Sequence, residues 1–280
     1  MYEIEYRRIV DTVARLCIEA NTCLPDDVRR ALTAAGETEA SPVGRGILSD
    51  VAANCRLAEE KGLPICQDTG MAVIFADLGQ ETHIVGGALE DAVNEGVAKG
   101  YLEGGLRCSV VADPLRRVNT ENNAPAVLHL RLVPGSGLRI TVAPKGFGSE
   151  NMTALKMFRP TAGREEIVNF IVDTVDAAGS NPCPPVVVGV GLGGTAEKAA
   201  ELAKRALLLP LDQPSADPFY AGMEGEALDK INALGIGPQG LGGTVTALSV
   251  HILPYPTHIA GLPCVVSVGC HVDRHAQAEL

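Results

Sequence analysis

Every residue from Pro185 to Val190 is apolar apart from one glycine, and the run passes through Gly191-Leu192-Gly193-Gly194 into a helical pattern from Thr195 to Leu207. A short apolar run followed by a glycine turn reads as a buried strand feeding a helix, which calls for an α/β or α+β fold. The neighbouring segments fit that class. Helical spacing of apolar residues predicts helices from Glu5 to Ala20, from Pro25-Asp26-Asp27 onward, and from Ser41-Pro42 to Gly62. Residues 1–62 are therefore mainly helical, and 63–280 read as a mixed α/β part of the same domain. Strands are expected at Met71 to Leu78, Ala126 to Leu132, Leu138 to Ala143, Thr244 to Leu253 and Cys264 to Val268. Helices are expected at Gly87 to Gly100, Glu150 to Phe158, Arg164 to Ala178 and Tyr220 to Leu234. Pro134-Gly135-Ser136-Gly137 suggests that the strands on either side of it form a hairpin, and residues 104–125 read as a loop.

Composition narrows the class of function. With 280 residues, 46% of them hydrophobic, the chain can bury a sizeable core; with no Trp and only 4% aromatic residues, that core is aliphatic. A formal charge of −11 and the lack of a basic stripe argue against nucleic-acid binding and against anionic membrane surfaces. The acidic opening Met1 to Glu5 has no signal-peptide character, and no apolar run spans a bilayer, so the expected location is the cytoplasm. Eight cysteines scattered through such a chain are expected to be thiols or ligands rather than disulfides.

Chemistry concentrates in Pro64-Ile65-Cys66-Gln67-Asp68-Thr69-Gly70, where a thiol, an amide, a carboxylate and a hydroxyl sit side by side between a proline and a glycine. Cys183 and Cys270 also lie in turns, one just before an expected strand and one just after. Three thiolates from separate loops suit a zinc ion or an iron–sulfur cluster; without close CxxC pairs, the spacing equally suits three unrelated buried thiols. Cys17, Cys23 and Cys55 have helical spacing and read as core residues. Gly189 to Gly194 satisfies G-x-G-x-x-G, but only Asp212 stands near the distance of a ribose-binding acid, and a tight strand-to-helix turn explains the glycines as well. Lys145-Gly146-Phe147-Gly148-Ser149 offers free amides and a cation to a carboxylate, or is a structural turn capped by Ser149. His258 lies in a loop between the last two strands.

Taken as a set, these segments resemble the α part of class I, iron–sulfur fumarate hydratases and the related L(+)-tartrate dehydratases. The likeness runs from Ile65-Cys66-Gln67-Asp68-Thr69-Gly70 through Arg107 to Asp113, Lys145 to Asn151, Cys183-Pro184-Pro185 and Gly237 to Gly243, to Leu262 to Arg274. It implies that Cys66, Cys183 and Cys270 ligate a 4Fe–4S cluster whose fourth iron binds a small dicarboxylate. It further implies that Asp68 and His258 are catalytic. Gln67, Arg107, Lys145, Gly146 and Gly148 would bind substrate, with Arg107 able to hold a carboxylate bidentately. Phe147 departs from the more usual glycine run of the family. Fused members continue into a second domain that this chain, stopping at Leu280, does not carry. The resemblance therefore implies a separate β subunit in an α2β2 assembly. Reversible hydration of fumarate to L-malate is the expected reaction. L(+)-tartrate dehydration is the alternative within the class, and a non-catalytic iron–sulfur or zinc scaffold is the alternative outside it.

Overall fold

The computed structural model describes residues 2–280. In chain order its elements are β1 (Tyr2–Glu5), α1 (Tyr6–Thr22), α2 (Asp26–Thr38), α3 (Pro42–Lys61), β2 (Met71–Gly79), β3 (Thr82–Val85), α4 (Leu89–Glu103), β4 (Val127–Val133), β5 (Leu138–Lys145), α5 (Phe147–Glu150), β6 (Ala154–Phe158), α6 (Arg164–Ala178), β7 (Val186–Gly193), α7 (Ala196–Ala206), α8 (Pro218–Asn232), β8 (Ala247–Tyr255), β9 (Leu262–Gly269) and β10 (Ala276–Glu279). The α/β class read from the sequence is observed. Among the described residues, no helix is long and apolar enough to cross a membrane.

The chain forms two compact units, one of residues 1–25, 55–147 and 274–280, the other of 26–54 and 148–273. In the first, β10, β5, β2 and β4 make a mixed sheet in that order, beside a two-stranded parallel sheet of β1 and β3. Alternate residues of the larger sheet, among them Ile74, Ala76, Ile140 and Val142, pack against Ile9, Val13, Leu16 of α1 and Val93, Val97 of α4. The sheet corrects the expected hairpin. β4 and β5 do not pair; β2 lies between them, parallel to β4 and antiparallel to β5. The turn at 134–137 instead holds the end of β2, Gly79 N donating to Gly137 O at 2.9 Å and Glu81 N to Gly135 O at 3.0 Å.

The second unit is a sheet in the order β6, β9, β7, β8. All eight residues of β7 are buried, as a strand covered on both faces must be. Val186, Val188 and Val190 enter the core with Ile167 and Ile171 of α6 and Met223 and Ile231 of α8. Gly189 and Gly191, on the other face, are glycines because α7 lies directly on them. A Cβ on Gly191 would stand 1.9 Å from Ala199 O, and one on Gly189 2.2 Å from Ala203 O. The helix expected at 150–158 is instead the short α5 followed by β6, an edge strand antiparallel to β9 with Ala154 opposite Val266. Ala, Leu, Lys and Met favour a helix locally, and pairing with a neighbour far along the chain overrides that preference. Helix starts follow local rules: Asp217 caps α8, accepting from Phe219 N at 2.9 Å, and Glu166 accepts from Gly163 N at 3.2 Å at the start of α6.

Candidate active site

In the first unit the stretch from Cys66 to Gly70 is an ordered turn between α3 and β2. Ile65 is buried and its N–H donates to Asn21 O at 2.9 Å, which anchors the entry. The Asp68 N–H points back at Cys66 Sγ, 3.4 Å away. The Asp68 carboxylate is fixed at both ends. Oδ1 accepts from Gly70 N at 3.0 Å and Oδ2 from Phe147 N at 2.9 Å, so the turn is tied to the end of β5. Gly70 has φ of 73°, and a side chain there would strike the Lys145 backbone at 2.7 Å. Thr69 is buried, and its hydroxyl donates to Arg107 O at 2.9 Å. The structure thus brings Cys66, Asp68, Gly146 and the Arg107 backbone to one turn; a Cβ on Gly146 would lie 3.1 Å from Asp68 Oδ2. Gln67 is exposed and its Oε1 lies 3.5 Å from Cys66 Sγ. The Arg107 side chain is exposed and, among the described residues, makes no ion pair. Lys145 is half-buried at the end of β5.

Three residues that support this turn went unnoticed in the sequence. Tyr101 on α4 is fully buried and donates to Thr69 O at 2.7 Å and Gly70 O at 3.0 Å. Burial and then Cys17 push its hydroxyl well above the usual tyrosine range, with Arg274 pulling the other way. Asn123, also fully buried, donates to Gly70 O at 3.0 Å and accepts from Ser109 N at 2.7 Å. Arg274, 6% exposed, donates to Asp68 O. The sequence signals were a run of Asn residues in a long loop and, for Arg274, its place at the end of the family likeness.

In the second unit Cys183 and Cys270 come to the same end of two antiparallel neighbours. β7 begins at Val186 and β9 ends at Gly269, with Val187 opposite Gly269. His271 then donates its N–H to Cys183 O at 3.3 Å, and its Nδ1 lies 2.9 Å from the same oxygen. Gln239, at φ 54°, donates its backbone N–H to Pro184 O at 2.8 Å and its side-chain amide to the same oxygen at 2.9 Å. Two residues therefore clamp the Cys183-Pro184 carbonyls, and Cys183 itself is an exposed residue. Gly148 borders the same loop, where a Cβ would meet Asn181 O at 3.3 Å.

His258 is placed elsewhere in this unit. β7 and β8 run parallel with Gly193 opposite Tyr255, so His258 stands beyond the far end of β7 from Cys183 and Cys270. That is ~25 Å at about 3.3 Å per residue. There it lines a cavity of about 470 Å³ with Thr195, Lys198, Glu201 and Tyr255.

None of the eight cysteines is in a disulfide. Burial pushes Cys17 and Cys264 up to about 12, which marks them as protonated core residues, whereas Cys66 and Cys270 are half-buried and Cys183 exposed. Among the described residues, no group of three or more His, Cys, Asp or Glu side chains is gathered closely enough to hold a metal ion. The G-x-G-x-x-G stretch is explained by the closeness of α7.

Comparison with known proteins places these features in a family. Residues 10–279 match the family described as Fumarate hydratase (Fumerase). A putative L(+)-tartrate dehydratase subunit alpha from Methanocaldococcus jannaschii is 41% identical over 277 residues, 96% of each chain. The L(+)-tartrate dehydratase subunit alpha of Escherichia coli O157:H7 is 31% identical over 95% of this chain and 89% of its own; that of Shigella boydii serotype 4 is 30% identical over the same shares. With the match covering nearly the whole chain, the protein belongs to the fumarate hydratase family and is a hydro-lyase.

Proposed function

We propose that this chain is the α subunit of an iron–sulfur hydro-lyase that hydrates fumarate reversibly to L-malate and works with a separate β subunit in an α2β2 assembly. The observation that carries the reading is the set of cysteines outside the buried cores: Cys183 and Cys270 on adjoining loops at one end of β7 and β9, and Cys66 with an amide N–H aimed at its sulfur. The thiolate chemistry of Cys66, Cys183 and Cys270 suits a 4Fe–4S cluster. When bound, the cluster supplies a Lewis acid that draws charge from a substrate carboxylate and hydroxyl.

The chain's own residues do the rest. Arg107, exposed and without an ion-pair partner among the described residues, offers a planar fork to a carboxylate. Lys145, Gln67 and the amides around Gly146 and Gly148 add donors at the two turns. Asp68 is the acid/base group. Each of its oxygens accepts one amide, which fixes the carboxylate while leaving a second lone pair on each oxygen for a substrate proton. A second reading, L(+)-tartrate as substrate, is favoured by the names of the relatives.

The test is anaerobic purification with the β subunit, iron and sulfide analysis, and assays on fumarate, L-malate and L(+)-tartrate. Turnover of fumarate above tartrate supports the first reading and the reverse supports the second. A protein without iron, or one that keeps its cluster after Cys66→Ser, Cys183→Ser and Cys270→Ser, rules out the ligand assignment. His258, which the resemblance places on the substrate, is tested by His258→Asn: kcat/KM should fall with the iron content unchanged.

A further inference from the structure

Arg274 is a buried cation without an ion-pair partner among the described residues. It is 6% exposed, its Nε is fully buried with no acceptor, and among the described residues it forms no ion pair. Arginine keeps its charge under all ordinary conditions, and an unpaired buried charge costs several kcal/mol. Among the described residues, the groups of the adjacent turn make no ion pair with it, their polar atoms being engaged elsewhere. The Asp68 carboxylate is held by Gly70 N and Phe147 N, and the Tyr101 hydroxyl is spent on Thr69 O and Gly70 O. The contact Arg274 does make is to Asp68 O, on the residue whose N–H is directed at Cys66 Sγ. The guanidinium thus fixes the backbone that presents an amide to the thiol and leaves a positive charge behind that turn.

We propose that Arg274 is a positioning residue for the Cys66 turn and the fixed counter-charge to the anionic iron–sulfur group held there, an assignment that rests on the function proposed above. A positive charge near a cluster makes reduction easier, because the reduced form is the more negative one. Arg274 also stiffens the turn that presents Cys66, so it favours cluster retention.

The experiment compares the full chain, purified without oxygen and without substrate, as wild type, Arg274→Lys, Arg274→Gln and Arg274→Met, the last filling the buried space with an apolar stem. Iron and sulfide per chain, the reduction potential and the melting temperature are measured. Both neutral variants are expected to hold at least twofold less iron. Their residual cluster should show a reduction equilibrium displaced about tenfold towards the oxidised form, ~59 mV more negative for one electron. Arg274→Lys should restore most of the potential. An iron-loaded wild type whose neutral variants match it in iron and potential overturns this inference alone, as does a Lys variant no better than Gln, or a defect confined to melting temperature. Loss of substrate binding with iron and potential intact also overturns it, in favour of a carboxylate as the missing anion. A wild type that holds no iron overturns the underlying reading, and this one with it.

Discussion

Asn123 uses its whole side-chain amide on one junction: Oδ1 takes the N–H of Ser109 and of Val110, and Nδ2 serves Gly70 O. Truncation to Ala strands the buried Val110 amide and weakens the grip on Gly70, where each unsatisfied buried group costs about 1–3 kcal/mol. Asn123→Ala is therefore expected to lose on the order of 2–3 kcal/mol, read as a lower urea midpoint at unchanged slope. The sequence showed the loop but not this role, because the partners lie far along the chain and Asn is what loops commonly contain. His251 on β8 was equally invisible. It is 2% exposed, and neither ring nitrogen has a partner among the described residues. Burial pushes its pKa down, against Glu224 and Asp27, which pull it up. The unfolded chain takes up a proton near the ordinary value of about 6.5, whereas the folded chain resists it until lower pH. Stability should accordingly be level above that value and fall as pH drops through it towards the folded pKa. Between pH 7.5 and 5.5 the wild type should lose more melting temperature than His251→Leu, and equal losses would count against the assignment. By contrast, Cys66 and Asp68 were legible as chemistry because four reactive side chains in a row between Pro64 and Gly70 need no distant partner to be noticed.

Elements were legible where their cause is local. α6 begins and ends at the expected residues because its apolar spacing and flanking glycines are written in the segment itself. β2, β7, β8 and β9 follow apolar runs that have no other use. The failures occur where a partner decides. Nothing in Pro134 to Gly137 says that β2 will come between β4 and β5, and nothing in Ala154 to Phe158 says that β9 will claim it as a strand. The small strands β1, β3 and β10, of four residues each, carry too little pattern to read. The glycines of β7 are the instructive middle case: the motif was visible, and its meaning depended on how closely α7 approaches. Since a Cβ on Gly191 would lie 1.9 Å from a carbonyl oxygen, Gly191→Ala must push α7 from the sheet, with an expected loss of roughly 3 kcal/mol or more and poor soluble yield. Gly46 in α3 and Gly225 in α8 have nothing within 4 Å of a Cβ, so Ala at either is expected to gain about 0.5–1 kcal/mol. Thermal melts of the three variants check both signs.

At the scale of the whole molecule, the helical character of residues 1–62 was legible and their distribution was not. The chain passes between its two units at 25/26, 54/55, 147/148 and 273/274, and periodicity carries no record of such crossings. One consequence concerns the second unit, whose two segments are joined by Glu39. Its carboxylate is 1% exposed and accepts from Thr244 N at 2.9 Å and Val245 N at 2.8 Å as well as from Ser41 N at 2.7 Å. Burial alone would raise its pKa; these amides and the Thr244 hydroxyl outweigh that and hold it below the usual carboxylate range. Asp27 adds a further link, accepting from Leu211 N at 3.0 Å. Hydrogen bonds to a charged group contribute about 1.5–3 kcal/mol each, so losing those between the segments removes a sum comparable with the ~5–15 kcal/mol that separates folded from unfolded domains. Residues 148–273 produced alone are thus expected to melt without a sharp transition and to leave the Val245 amide open to hydrogen exchange. Adding a peptide of residues 26–54 should restore protection at Val245, and the same peptide carrying Glu39→Ala should not. A fragment 148–273 that melts as cooperatively as the full chain would show that its sheet stands without the Glu39 joint.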